Sequence, residues 1–181
     1  METFNICVLG DRRVGKSTVA KTVSNDKVSE QSPINILVSP FQHHYIEWWD
    51  FSGNPKYTDL RHSFYKFFHG YVLVFDLSNR NSFKNLKKWE KDIRPFTNAV
   101  DVPILIVGTK EDKGVSERLN RKYTIVSQGK YAQDDWNQFF AKVTSTDTSK
   151  IKQLNNGEMM PNSPKQGLFK NLTKLLGTHQ N

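Results

Sequence analysis

A chain of 181 residues with 36% hydrophobic and 12% aromatic content has the length and apolar share of one globular domain. Its formal net charge is +8, but Lys and Arg are dispersed. The denser groups at Lys84 to Lys91 and Arg118 to Lys122 read as solvated helix faces, and no nucleic-acid signature accompanies them. No apolar run approaches the roughly 20 residues that cross a bilayer, and the N-terminus lacks a signal peptide's charged start and apolar middle.

These features predict a cytoplasmic protein with no nucleic-acid partner. The lone Cys7 excludes an internal disulfide. The ending Thr178-His179-Gln180-Asn181 carries no cysteine for lipidation, and Met1-Glu2 lacks the glycine that myristoylation requires, so no direct lipid anchor is expected.

The first element is an apolar strand, Phe4 to Leu9, and a helix follows through Val19, Ala20 and Val23. Between them Gly10-Asp11-Arg12-Arg13-Val14-Gly15-Lys16-Ser17 fits GxxxxGKS, the phosphate-binding loop. Its glycines let successive N–H groups face a phosphate, Lys16 can bridge β- and γ-phosphates, Ser17 offers its hydroxyl to Mg²⁺, and the helix start adds its dipole. Gly10 through Ser17, with Thr18, is therefore a candidate nucleotide-binding segment.

Ile34 to Val38, a break at Ser39-Pro40, and His43 to Trp49 read as a hairpin, because a parallel crossover needs more chain than this. Tyr71 to Leu77 and Pro103 to Val107 are further strands, separated by a helix through Phe83, Leu86, Trp89 and Ile93. Asn81-Ser82 caps that helix and Pro95 helps end it. A helix is expected from Thr124 to Trp136 and a fourth parallel strand from Phe139 to Val143. Residues 147–164 read as an irregular insertion, followed by a last helix with Ser163-Pro164 at its start and Leu168, Phe169, Leu172, Leu175 and Leu176 on one side. The pattern predicts a single α/β domain over 1–181, with a mostly parallel six-stranded sheet, one antiparallel edge strand and helices on both faces.

Three more loops carry chemistry. In Trp49-Asp50-Phe51-Ser52-Gly53-Asn54, Asp50 can hold Mg²⁺ through water and the Gly53 N–H can meet a γ-phosphate oxygen. In Gly108-Thr109-Lys110-Glu111-Asp112, the Asp112 carboxylate can accept both N1–H and the exocyclic amine of guanine, a donor pair that adenine lacks. The Lys110 stem can lie over the ring. Thr144-Ser145-Thr146 would close the base pocket with a main-chain N–H.

Taken in order, GDRRVGKST, WDFSGN, GTKED and VTST resemble the Ras superfamily of small GTPases across nearly the whole chain. The absent tail cysteines, the basic stretch after GTKED and the KYAQDDWN region place the resemblance in its Rab-like branch. This implies a P-loop G domain that binds GTP or GDP with Mg²⁺. The metal would be served by Ser17, Asp50 and a first-switch hydroxyl, for which Ser32 before Pro33 is the candidate because no threonine lies between Val23 and Val38. Thr109 stands where the family favours asparagine, and Asp147 where a lysine usually follows the base-closing loop.

Two departures bear on catalysis. Asn54 replaces the glutamine that orients the attacking water, one methylene shorter. Arg12 replaces a small residue, either obstructing an arginine supplied by an activating protein or acting itself as a cation in cis. The resemblance implies a guanine-nucleotide switch with slow hydrolysis that signals to effector and regulatory proteins in trafficking through residues about 30–38 and 52–65. Partners would recruit it peripherally to membranes or cilia, with a homodimer left open. A nucleotide-stabilised scaffold that does not turn GTP over is the alternative, and a metabolite kinase is disfavoured by TKED. Trp48, Trp49, Tyr57 and Phe64 suit either a partner surface or the core. His43, His44 and His62 show no paired ligand spacing.

Overall fold

The computed structural model describes residues 2–24, 32–115, 122–127 and 130–154. The strand pattern closes into a seven-stranded sheet in the order β2-β3-β1-β4-β5-β6-β7. Its strands are β1 (Thr3–Leu9), β2 (Ile34–Phe41), β3 (His44–Phe51), β4 (Gly70–Asp76), β5 (Ile104–Thr109), β6 (Thr124–Ser127) and β7 (Lys130–Tyr131). The five strands from β3 to β6 in that order run parallel, while β2 pairs antiparallel with β3 and β7 antiparallel with β6. The α/β class and the antiparallel hairpin edge are as expected. The strand number is one higher, because β7 adds a second antiparallel edge.

Helices cover both faces. On one, α1 (Lys16–Ser24) and α4 (Gln133–Ser145) join a core of Ile6, Val8, Val19, Ala20, Trp48, Trp136, Phe139 and Val143. On the other, α2 (Thr58–Phe64), α3 (Arg80–Val100) and α5 (Thr148–Leu154) bury Leu60, Phe64, Leu86, Trp89, Ile93 and Ile151 beneath Cys7, Leu9 and Trp49. Successive β1 residues thus serve opposite cores, as a strand covered on both faces requires. Trp48, Trp49 and Phe64 are core residues, and only Tyr57 of that aromatic group is partly exposed.

Three expectations fail for physical reasons. Phe139 to Val143 is helical: Trp136, Phe139, Phe140 and Val143 are buried at spacings of three and four, which marks a helix face. Thr124 to Ser127 is a strand, its burial alternating residue by residue, so the helix expected there begins only at Gln133. The third helix passes through Pro95 to a left-handed cap at Asp101, and its N-terminus is capped by Asn79, whose side chain accepts from Asn81 and Ser82 N–H groups.

Smaller differences follow. β2 continues through Ser39-Pro40, which an edge strand tolerates because the proline nitrogen has no ladder to serve, and the Ser39 hydroxyl accepts from Trp48 Nε1 at 2.8 Å. The start of the expected insertion is α5, capped by Asp147, whose carboxylate accepts from the Ser149 N–H at 3.0 Å. The rest of that insertion and the last helix lie outside the described residues, as do residues 30 and 31 of the first switch and most of the basic group at 118–122.

Candidate functional site

The loop between β1 and α1 takes the shape its sequence demands. Gly10 adopts φ +150° with its Cα against the next strand, so that a Cβ there would stand 2.2 Å from the Val74 carbonyl oxygen. Lys16 is buried at 7% exposure and donates from Nζ to the Asp11 carbonyl oxygen at 2.7 Å, which lays its ammonium along the loop. Burial pushes its pKa down to about 8 against the opposing pull of Asp50 and Asp11. The site therefore holds a cation short of negative charge, which suits it to phosphate.

Asp11 is kept out of the way. Its carboxylate accepts from Asn85 Nδ2 at 2.7 Å and Trp89 Nε1 at 2.9 Å, both one turn apart on α3. The sequence reading missed these two partners, although a polar and an indole donor spaced i, i+4 on one helix was a legible signal.

At the end of β3, Asp50 is 3% exposed and accepts from the Ser17 hydroxyl at 2.6 Å. Burial raises its pKa, opposed by the hydrogen bond from Ser17 and by Lys16. A hydroxyl and a buried carboxylate meeting at one point are hard oxygen donors, and a cation beside them would offset the desolvation that raises the carboxylate, so the pair fits Mg²⁺. Ser32 is not brought to them, since its hydroxyl closes a local turn with the Ile34 main chain. Asn35, opposite Asp50 in the β2–β3 register, instead approaches Asp50 Oδ2 at 3.5 Å.

Gly53 lies against the phosphate loop, where a Cβ would meet Gly10 O at 2.4 Å and Arg12 N at 2.8 Å. Asn54 caps the 3-10 turn Pro55–Tyr57, its side-chain oxygen accepting from Lys56 N–H at 3.2 Å. The acceptor that would orient a water is thus already engaged. Arg12 is exposed beside Gly53.

The loop after β5 is tied to the same edge. The Thr109 hydroxyl bonds the carbonyls of Val14 and Phe75, and Lys110, at φ +60°, donates from Nζ to Arg13 O at 2.5 Å and to Asp76 Oδ2 at 2.6 Å. Burial raises Asp76, but the hydrogen bonds from Lys110 and Ser78 outweigh it and hold its carboxyl below the usual range. Asp112 follows in the 3-10 turn Glu111–Lys113, exposed and bordering a cavity of about 690 Å³ with Ser127 and Lys130.

Ser145 and Thr146 are not at this edge. Because the segment before them is helical, they end α4, bonding the Lys142 carbonyl and lining a different cavity with Val100, Pro103 and Ile104 at the start of β5. Ser127, the last residue of β6, lies just past its parallel pairing with β5 and shares a cavity wall with Asp112.

A model of the Ras family matches residues 5–157. The chain belongs to the Ras family. The Ras-family chain is 28% identical over 184 residues to the Ras-related protein Rab-11B of Dictyostelium discoideum, covering 97% of this chain and 80% of that protein. It is 28% identical over 160 residues to the GTP-binding protein ypt1 of Schizosaccharomyces pombe, covering 83% and 75% of the two chains. Over 159 residues it is 24% identical to the Ras-related protein RABA6b of Arabidopsis thaliana, covering 83% and 66%. It is a Rab-like small GTPase of that family.

Proposed function

We propose that this Rab-like protein is a guanine-nucleotide switch that holds GTP or GDP with Mg²⁺ and hydrolyses GTP slowly. The observation that carries the reading is Lys110, which bonds Arg13 O and Asp76 together and so joins the base-reading loop to the phosphate loop. In this reading Lys16 and the main chain from Arg13 to Thr18 bind phosphate, Ser17 and Asp50 hold the metal, and Asp112 selects guanine with the Lys110 stem over the ring. Bound Mg²⁺ would offset the negative charge of the terminal phosphates.

Slow turnover is supported by two side chains. The Asn54 amide oxygen accepts in a helix cap, and the exposed Arg12 has its main-chain nitrogen against Gly53. Effector and regulatory proteins would read residues about 32–38 and 52–65, the two segments flanking the metal pair, in intracellular transport. No helix among the described residues is long and apolar enough to cross a membrane, and peripheral recruitment to one by a partner is part of this reading.

Extraction and chromatography of the nucleotide that copurifies with the full chain tests this. GDP or GTP is expected near one per protein. Adenine nucleotide alone, with GTP failing to displace it, overturns the reading.

A further inference from the structure

The outer ridge of α3 is a row of cations. Lys84, Lys87, Lys88, Lys91 and Arg94 are all exposed, while Leu86, Trp89 and Ile93 of the same helix are buried in the core. At about 100° per residue the five cations fall within an arc of about 120° opposite those buried side chains, and they run along about 15 Å of helix axis. The carboxylates of this helix lie outside the arc. Glu90 and Asp92 are half-buried on its two sides, and Asp92 turns toward His62 of α2 at 3.8 Å. The sequence reads Lys84 to Lys91 as a solvated face, and the fold adds that its charges share one side of the helix and point away from the sheet.

The chemistry of this ridge selects its counterpart. The exposed large apolar side chains among the described residues are Val38, Tyr45, Ile104 and Val115, and none of them belongs to α3. Protein interfaces centre on aromatic and apolar anchors and are poor in lysine, and single-stranded nucleic acid is held on aromatic stacking platforms as well as by charge. An anionic bilayer needs charge alone, and each Lys or Arg held near its surface gains roughly fivefold in partitioning. A straight, convex ridge of lysines also lies flat on a plane.

We propose that the ridge of α3 at 84–94 is a contact surface for the anionic leaflet of a membrane, held by charge without an inserted side chain. The contact leaves the hairpin edge open: α3 packs on β4, and β2 lies three strands away in the sheet, so residues 32–38 stay accessible to a protein partner. This goes beyond the nucleotide reading and does not depend on it, because vesicle binding is measured without reference to the nucleotide.

Co-sedimentation of the full chain with vesicles of phosphatidylcholine, alone or with about 30% phosphatidylserine, tests it. The parent should bind the mixed vesicles at least about tenfold more strongly, and salt at about 0.5 M should abolish the difference. Lys84→Gln, Lys88→Gln and Lys91→Gln together should cut binding to the mixed vesicles roughly 10- to 100-fold. Lys122→Gln, Lys142→Gln and Lys150→Gln together remove the same net charge from exposed positions elsewhere, and should cut it less than about threefold. Should the first triple variant fail to fold, Lys88→Glu alone reads the same face and should lose about tenfold.

Equal losses in the two triple variants would mean attraction by net charge with no face of its own, and would overturn the proposal. So would a parent that binds both vesicles alike. A parent that leaves vesicles untouched yet binds single-stranded RNA or polyglutamate through the same three lysines would assign the ridge to another partner and overturn it as well.

Discussion

The Ser17 hydroxyl donates to Asp50 Oδ2 at 2.6 Å across 33 positions of sequence, joining the start of α1 to the end of β3. Nothing else among the described residues links these two elements through a buried carboxylate and a hydroxyl, and the pair is the hard-oxygen site on which the magnesium reading stands. Asp50→Asn keeps the shape and removes the charge. Nucleotide release measured with a fluorescent GDP should quicken roughly 10- to 100-fold in the variant. Chelation with EDTA, which should speed release in the parent, should then add little; an undiminished EDTA effect would place the metal elsewhere.

In the proposed reading base selection falls to Asp112, an exposed carboxylate two residues after Lys110, whose Nζ bonds Arg13 O and Asp76. Asp112→Ala should weaken guanine-nucleotide binding by about 10²-fold, the loss of two hydrogen bonds to a charged acceptor. Adenine nucleotide binding should not change. Competition titrations of GTP against ATP check both numbers, and unchanged preference for GTP would remove Asp112 from the role.

The slow turnover proposed above would have a specific cause that can be reversed. Asn54→Gln should lengthen the side chain beyond the cap on Lys56 and free its amide, and Arg12→Gly should remove an exposed guanidinium from the phosphate loop. Single-turnover hydrolysis in the double variant should rise by about tenfold, a small part of what a supplied arginine contributes in this chemistry. A rate equal to the parent's would mean that neither residue limits hydrolysis.

His69 predicts an acid sensitivity far from the nucleotide edge. Burial pushes its pKa down to about 4, and its neutral Nδ1 accepts from the Asn5 N–H at 3.0 Å where β1 meets the entry to β4. The unfolded chain binds a proton near pH 6.5 while the folded one resists until about 4. Stability from the neutral ring is therefore complete above 6.5 and is lost as pH falls toward 4. Urea unfolding at pH 7.5 and 4.5 should show the parent losing about 2 kcal/mol more than His69→Gln. Equal losses would show that the ring titrates normally.

Much of the candidate site was legible in the sequence, because each of its loops carries a local pattern. Gly10, Gly15, Lys16 and Ser17 sit at fixed spacings, and Asp112 follows a strand that reads plainly from Pro103 to Val107. The misreadings cluster where a short apolar run has two periods available. Phe139-Phe140-Ala141-Lys142-Val143 looks like a strand until Trp136 is counted with it, and the error moved Ser145 and Thr146 to the wrong end of the sheet. Ser32 before Pro33 is the candidate in a stretch that holds no threonine, yet its hydroxyl is satisfied locally by the Ile34 carbonyl two residues on.

The order of the loops along the chain, the buried central strands and the family resemblance were properties of the sequence alone, since they depend on neighbours within a few residues. What only the tertiary structure decided were the partners that come from distant segments. Asp11 meets Asn85 and Trp89, Asp50 meets Asn35, and Arg61 reaches back to Ser52 and Asn54. A side chain's spacing tells which way its own helix or strand points it. It cannot tell which carbonyl or carboxylate from another element will be waiting there, because that is set by how the two cores close on the sheet.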